Sequence, residues 1–247
     1  MRFLQHVLAL GLSLVAMSAI ATPANPEPGK DYRVMGSAQP TDAGKKVEVT
    51  EFFSYMCPHC AAFDAPLAAW VKKQGDKIVF KRVPVSFRES WVPQQKAYYT
   101  IEAMGKTEEL HSKIFNAVHQ QRLPFETDIG VADTMEKLGV GKAKFVELYS
   151  SFGVQSKVKR AGQLQDAYQI DSVPSIAIDG RFVTSPSMVG ATATTLTEVA
   201  LQAATLDVME SMVNKIAKEK GGSSSAKPAA APATPAAKKA VKKAEAK

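Results

Sequence analysis

The sequence predicts an α/β fold in which a long helical block interrupts a small set of strands. Three patterns carry this expectation. Short apolar runs of strand character stand at residues 47–53 and 78–85 and again on either side of Asp179-Gly180. Between them, from Trp91 to about Ala167, apolar residues recur at helical spacing. A last amphipathic stretch follows Thr195.

Residues 1–21 come first. Arg2 precedes an apolar run from about Val7 to Ile20 that closes on the small-residue pattern Ala19-Ile20-Ala21, the arrangement of a secretory signal peptide. A retained membrane anchor fits less well, because Gly11, Ser13 and Ser18 interrupt the run and it falls short of the roughly 20 apolar residues that span a bilayer. Cleavage after Ala21 and export are therefore expected. Residues 22–45 form an N-terminal segment too short for a domain of its own.

Residues 46–89 hold the first part of the α/β unit. Val47, Val49 and Phe53 share one face of a strand with Glu51, because side chains alternate. Glu51 is either at a strand end that reaches water or a buried carboxylate. Ile78–Val85 is the next strand, and the helix between them is carried by Ala61, Ala62, Phe63, Leu67, Trp70 and Val71, with Pro66 expected to kink it.

Residues 90–168 are expected to form a helical insertion. Its apolar stripes run through Tyr98, Ile101 and Met104; Leu110, Ile114, Phe115 and Val118; Val131, Met135 and Leu138; and Phe145, Leu148, Tyr149 and Phe152. They read as core. Residues 169–219 then return to the α/β unit. Ile176–Ile178 and Arg181–Val183 flank Asp179-Gly180 as a hairpin with a two-residue turn. The final helix opens on the capping box Thr195-Leu196-Thr197-Glu198 and should bury Leu196, Val199, Ala203, Leu206, Met209, Val213 and Ile216.

Residues 220–247 are rich in Ala, Lys and Pro and are expected to stay unfolded. They also distort the charge. Six lysines and one glutamate beyond Lys220, together with Arg2, account for all but +1 of the formal net charge of +7. The folded body is nearly neutral, so its basic pI is no sign of a nucleic-acid partner.

The only two cysteines, Cys57 and Cys60, stand three apart in Cys57-Pro58-His59-Cys60. A structural disulfide is a poor explanation, since a loop this short is worth about 2 kcal/mol in the chain-entropy account against about 4.7 for a 100-residue loop. A zinc knuckle lacks ligands: besides His59 only His111 and His119 remain after the leader, with no second Cys-x-x-Cys. No metal and no cofactor are expected. A dithiol that cycles between reduced and oxidised states explains the spacing. At a helix start the first thiol meets unpaired N–H groups that favour a thiolate, and the second, one turn on, can close the ring. Cys57 reads as the nucleophile and Cys60 as the resolving thiol.

Glu51-Phe52-Phe53-Ser54-Tyr55 running into Cys57-Pro58-His59-Cys60, with Ser172-Val173-Pro174-Ser175 later, resembles the DsbA family of bacterial periplasmic thiol:disulfide oxidants over most of residues 45–215. The resemblance implies a thioredoxin fold with an inserted helical domain. It implies that Pro58 and His59 tune the redox site, and that Glu51 lies buried beneath Cys60 opposite a basic residue, for which Arg82 and Lys81 both qualify. It further implies a cis Val173–Pro174 bond facing the cysteines, with Val173 offering backbone groups to substrate, although only about 5–6% of X–Pro bonds in folded proteins are cis.

By the same resemblance the activity is oxidation of newly exported proteins through a mixed disulfide on Cys57, in the periplasm, by a monomer re-oxidised by an inner-membrane, quinone-linked DsbB-like protein. A disulfide isomerase or reductase is the nearest alternative, but periplasmic isomerases carry an N-terminal dimerisation domain, which the short stretch between Ala21 and Val47 cannot form. A binding protein held to anionic surfaces by its basic tail is the alternative from another class, and the dithiol argues against it.

Overall fold

Residues 25–191 and 196–222 are described by the structure, a computed structural model; the expected leader, Thr195 and the chain beyond Gly222 lie outside them. Val47–Phe53, rich in β-branched and aromatic residues, forms the central strand β2, after the two-residue β1 (Arg33–Val34). All seven residues of β2 are buried, because it pairs in parallel with β3 (Ile78–Pro84) on one side and antiparallel with β4 (Ser175–Ile178) on the other. β5 (Phe182–Thr184) pairs with β4, and β1 with β5, giving the order β1-β5-β4-β2-β3.

Helix α1 (Pro58–Gln74) crosses from β2 to β3 and continues through Pro66. Five helices follow between β3 and β4: α2 (Val92–Ala103), α3 (Thr107–His119), α4 (Asp128–Lys137), α5 (Lys142–Tyr149) and α6 (Phe152–Ala167). A short α7 (Pro186–Gly190) and the long α8 (Glu198–Gly222) end the described chain. The core falls into two clusters. Val47, Val49, Ile176 and Ile178 pack with Phe63 and Leu67 of α1 and Val208, Met209 and Val213 of α8. Phe52, Phe53 and Val83 pack with Tyr98, Ile101, Leu110, Phe115 and Tyr168 of the inserted helices. Each such fully buried side chain contributes about 1.5–3 kcal/mol of transfer free energy.

Several expectations need correction. Phe152 is 87% exposed, because it opens α6 just after the capping Ser151 and points away from the face that buries Val154 and Ala161. Val199, 76% exposed, and Ala203 also face outward. The face of α8 turned to the sheet carries Ala204, Val208, Met209, Met212, Val213 and Ile216. The helix starts later than the expected box, with the Thr197 hydroxyl accepting from the Ala200 N–H at 3.3 Å, and it runs on through Gly222. In the hairpin, Asp179 and Gly180 take positive φ, but the ladder resumes at Ile178↔Phe182, so Arg181 is an extra residue. Gly180 is required there: a Cβ would stand 2.1 Å from the Gln39 carbonyl oxygen.

Candidate active site

The turn from β2 into α1 builds the site. Cys57 is extended (φ −94°, ψ 116°) and caps α1, and Pro58 sits at the first helical turn, where a missing N–H costs nothing. The Cys57 sulfur accepts the Cys60 backbone N–H at 3.4 Å. Both cysteines are thiols, Cys57 7% exposed and Cys60 fully buried. The Cys57 thiol is lowered from its ordinary 9.0 to about 6, chiefly by the hydrogen bond from the Cys60 thiol. Burial opposes this shift, and the backbone N–H groups of Cys60 and His59 and the His59 imidazole add to it. Burial pushes Cys60 well above the ordinary thiol range, and the neighbouring Cys57 pushes it further. One cysteine is thus ready to ionise while the other keeps its proton. Ultraviolet absorbance of the thiolate in the reduced protein should titrate with a midpoint of about 6; a midpoint at the free-thiol value of about 8.5 would contradict this electrostatic arrangement.

The His59 ring meets Glu198 at the start of α8, with Nδ1 and Oε1 2.7 Å apart. The His59 backbone N–H acts more strongly on Cys57 than the imidazole, and both lower the thiol. Glu198 was invisible as a site residue in the sequence, where an acid in the first turn of a helix has a sufficient local explanation in the capping box.

Across the turn the Val173–Pro174 peptide is cis, and the Val173 carbonyl accepts from the Cys57 thiol at 3.4 Å. Next to it lies a groove of about 390 Å³ lined by His59, Val173, Pro174, Pro186, Leu201 and Glu198 among others.

Beneath the turn, Glu51 is fully buried, and its Oε2 accepts from Arg82 Nε at 2.9 Å. The parallel register sets Glu51 beside Arg82, whereas Lys81, on the opposite face, reaches Glu48 at 2.8 Å and Asp42 at 3.4 Å. Burial raises the Glu51 carboxyl from 4.5 to about 7, the Arg82 charge opposes the rise and Asp64 adds to it; the Glu51 charge in turn reaches Cys60. Sequence reading missed the rest of this layer. Asp64 of α1 lies 3.7 Å from Arg82 and accepts from the Ser112 hydroxyl at 2.5 Å. His111, kept neutral by burial and by the charge of Arg82, shares a 2.8 Å hydrogen bond with the Tyr55 hydroxyl. His119 meets the Tyr55 carbonyl at 2.9 Å, so both histidines of α3 support the loop that carries Cys57.

The profile of the DSBA-like thioredoxin domain matches residues 82–202, a span that leaves out the cysteine turn. Whole-protein relatives extend the likeness. The thiol:disulfide interchange protein DsbA of Burkholderia cepacia is 45% identical over 188 residues, covering 76% of this chain and 89% of that protein. Its counterpart in Bordetella parapertussis is 36% identical over 182 residues, 73% and 87% of the two chains. The crystal structure of Pseudomonas aeruginosa DsbA superposes with a TM-score of 0.70 at 28% identity, covering 79% of this chain and 95% of that one. A mixed sheet of thioredoxin type with helices inserted between β3 and β4, and relatives of this similarity over nearly their whole length, place the chain in the DsbA family of thioredoxin-fold thiol:disulfide oxidoreductases.

Proposed function

We propose that the protein oxidises newly exported proteins in the periplasm with its Cys57–Cys60 disulfide. The observation that carries this reading is the contrast between the two sulfurs: Cys57, at the helix N-terminus and on the surface side, is stabilised as a thiolate, and Cys60 is buried with its proton held. A substrate thiolate attacks the Cys57 sulfur of the disulfide, the Cys57–Cys60 bond breaks, and Cys60 leaves and takes up a proton. A second substrate thiolate then attacks the substrate sulfur of the mixed disulfide, and Cys57 leaves as a stable thiolate. Two electrons pass from substrate to enzyme. Because Cys57 leaves readily and is stable when reduced, the equilibrium favours substrate oxidation.

Pro58 and His59 tune the Cys57 sulfur in this reading, the former by shaping the cap and the latter through its backbone N–H and ring charge. Glu51 takes part in the proton traffic of Cys60. Arg82 holds Glu51 but cannot itself release a proton. An extended substrate segment pairs with the backbone of Val173 beside Pro174 and lies along the adjoining apolar groove. A leader at residues 1–21 takes the chain to the periplasm, where it acts as a monomer and an inner-membrane DsbB-like, quinone-linked protein re-oxidises it. Among the described residues no helix is long and apolar enough to cross a membrane.

Cys60→Ala tests the assignment of roles. The variant cannot form the internal disulfide, so its Cys57 thiolate should attack disulfides already present in exported substrates, breaking the substrate S–S bond and releasing one substrate thiolate. With no Cys60 to displace the bound sulfur, mixed disulfides on Cys57 should accumulate, visible as reducible adducts on non-reducing gels. Adducts that form with Cys57→Ala in place of Cys60→Ala would reverse the two roles.

A further inference from the structure

The ion pair between His59 and Glu198 joins residues 139 positions apart on two different helices. We propose that Glu198 is a positioning residue for the redox reaction: from the first residue of α8 it fixes the orientation of the His59 imidazole and holds it in its charged form beside the Cys57 turn. The inference rests on the reading of Cys57 as the nucleophile.

His59 needs such a partner. Its side chain is 69% exposed, so without a fixed acceptor it would exchange among rotamers in water and present no constant charge to the sulfur. Glu198 supplies a 2.7 Å charge-assisted contact from a helix that is itself anchored against α1. Twelve residues further along α8, Glu210 accepts from the Trp70 indole N–H at 3.1 Å and from Gln74, so two carboxylates of α8 bind the two ends of α1. The turn carrying Cys57 is thereby referenced to α8, the helix that borders the groove beside Pro174.

The charge argument has a definite sign. The groups that face His59 are Glu198 from α8 and Cys57 from its own turn, and both raise its pKa, Glu198 the more strongly. The imidazolium in turn lowers the Cys57 thiol. Glu198 therefore favours the reduced enzyme indirectly, by keeping a positive charge on His59 that stabilises the thiolate. Its own negative charge, acting directly on the sulfur, would have the opposite effect. The two routes predict opposite signs on removal of the carboxylate.

The test uses the full chain with Glu198→Gln and Glu198→Asp. Two quantities are followed: the His59 ring titration by NMR, and the equilibrium of the Cys57–Cys60 couple with glutathione at about pH 7.5 and about pH 5. In Glu198→Gln, His59 should titrate at lower pH than in the parent protein. The equilibrium constant for oxidation of glutathione should fall by about two- to fivefold at the higher pH, the range set by a partly exposed ion pair. At the lower pH both proteins carry the imidazolium and the difference should close; Glu198→Asp should restore most of both effects. An unchanged His59 titration, a variant that is more oxidising at both pH values, or a loss of equal size at both would each overturn the proposal. If His59 moves as expected while Cys57 of the parent protein titrates as an ordinary thiol, the assignment of the nucleophile fails and the hold of Glu198 on His59 stands.

Discussion

Replacing Arg82 with methionine should destabilise the folded protein by about 3–5 kcal/mol at pH 8, the cost of stripping a buried carboxylate of its cation. Glu51 is fully buried, and Arg82, itself largely enclosed, donates to it at 2.9 Å and lies 3.7 Å from Asp64. The pH dependence identifies the cause. In the folded protein the Glu51 carboxyl sits at about 7, above its ordinary 4.5, so between these values the folded state binds the proton more tightly and stability falls as pH rises. Without Arg82, which opposes that rise, the carboxyl would shift higher still. Below the folded pKa Glu51 is neutral and needs no cation, so the penalty of the variant should shrink on acidification. Denaturant unfolding of both proteins at about pH 8 and about pH 5 checks this. A loss of equal size at both values would instead assign Arg82 a packing role, since its guanidinium also stacks 4.8 Å from the centre of the Phe80 ring.

The relative stability of the two redox forms should change sign with pH. In the reduced protein the folded Cys57 thiol sits at about 6 against an ordinary 9.0, so it contributes stability that is fully present above the unfolded pKa and lost as pH falls through the folded one. By linkage this amounts to about 3 kcal/mol at pH 8.5, about 1.4 at pH 7 and almost nothing at pH 5. The disulfide removes the thiolate but adds about 2 kcal/mol at every pH through its small loop. The reduced form should therefore be the more stable by about 1 kcal/mol at pH 8.5, the two should cross slightly above neutrality, and the oxidised form should lead by about 2 kcal/mol at pH 5. Chemical denaturation of both forms across this range measures the crossing. An oxidised form that leads at every pH would contradict a strongly stabilised thiolate, and with it a strongly oxidising enzyme.

Much of this site was legible in the residue order because the reacting unit is local. Two cysteines three apart, a proline at the first helical turn and apolar residues behind them specify a helix N-terminus with a thiol at each end of one turn, and nothing distant is needed to bring those sulfurs together. The strand and helix patterns follow in the same way from alternation and from 3.6-residue spacing, which is why β2, β3 and the inserted helices lie where the sequence places them. Errors arose where a local pattern leaves the phase open. Phe152 and Val199 continue an apolar stripe on paper, yet the direction each helix faces is set by its neighbours, and both residues point into solvent.

What the sequence determined by itself is thus the chemistry: a redox dithiol with unequal sulfurs at a helix start, set in an α/β frame. Tertiary structure alone decided which groups surround it. Arg82 and not Lys81 meets Glu51 because the parallel register of β2 and β3 puts alternate side chains on opposite faces. His59 meets Glu198, and Val173 meets Cys57, because α8 and the segment before β4 are docked against the turn by core residues far from either contact. Such pairings depend on the relative placement of whole elements, a sum of many weak, non-directional burial energies that no short stretch of chain encodes.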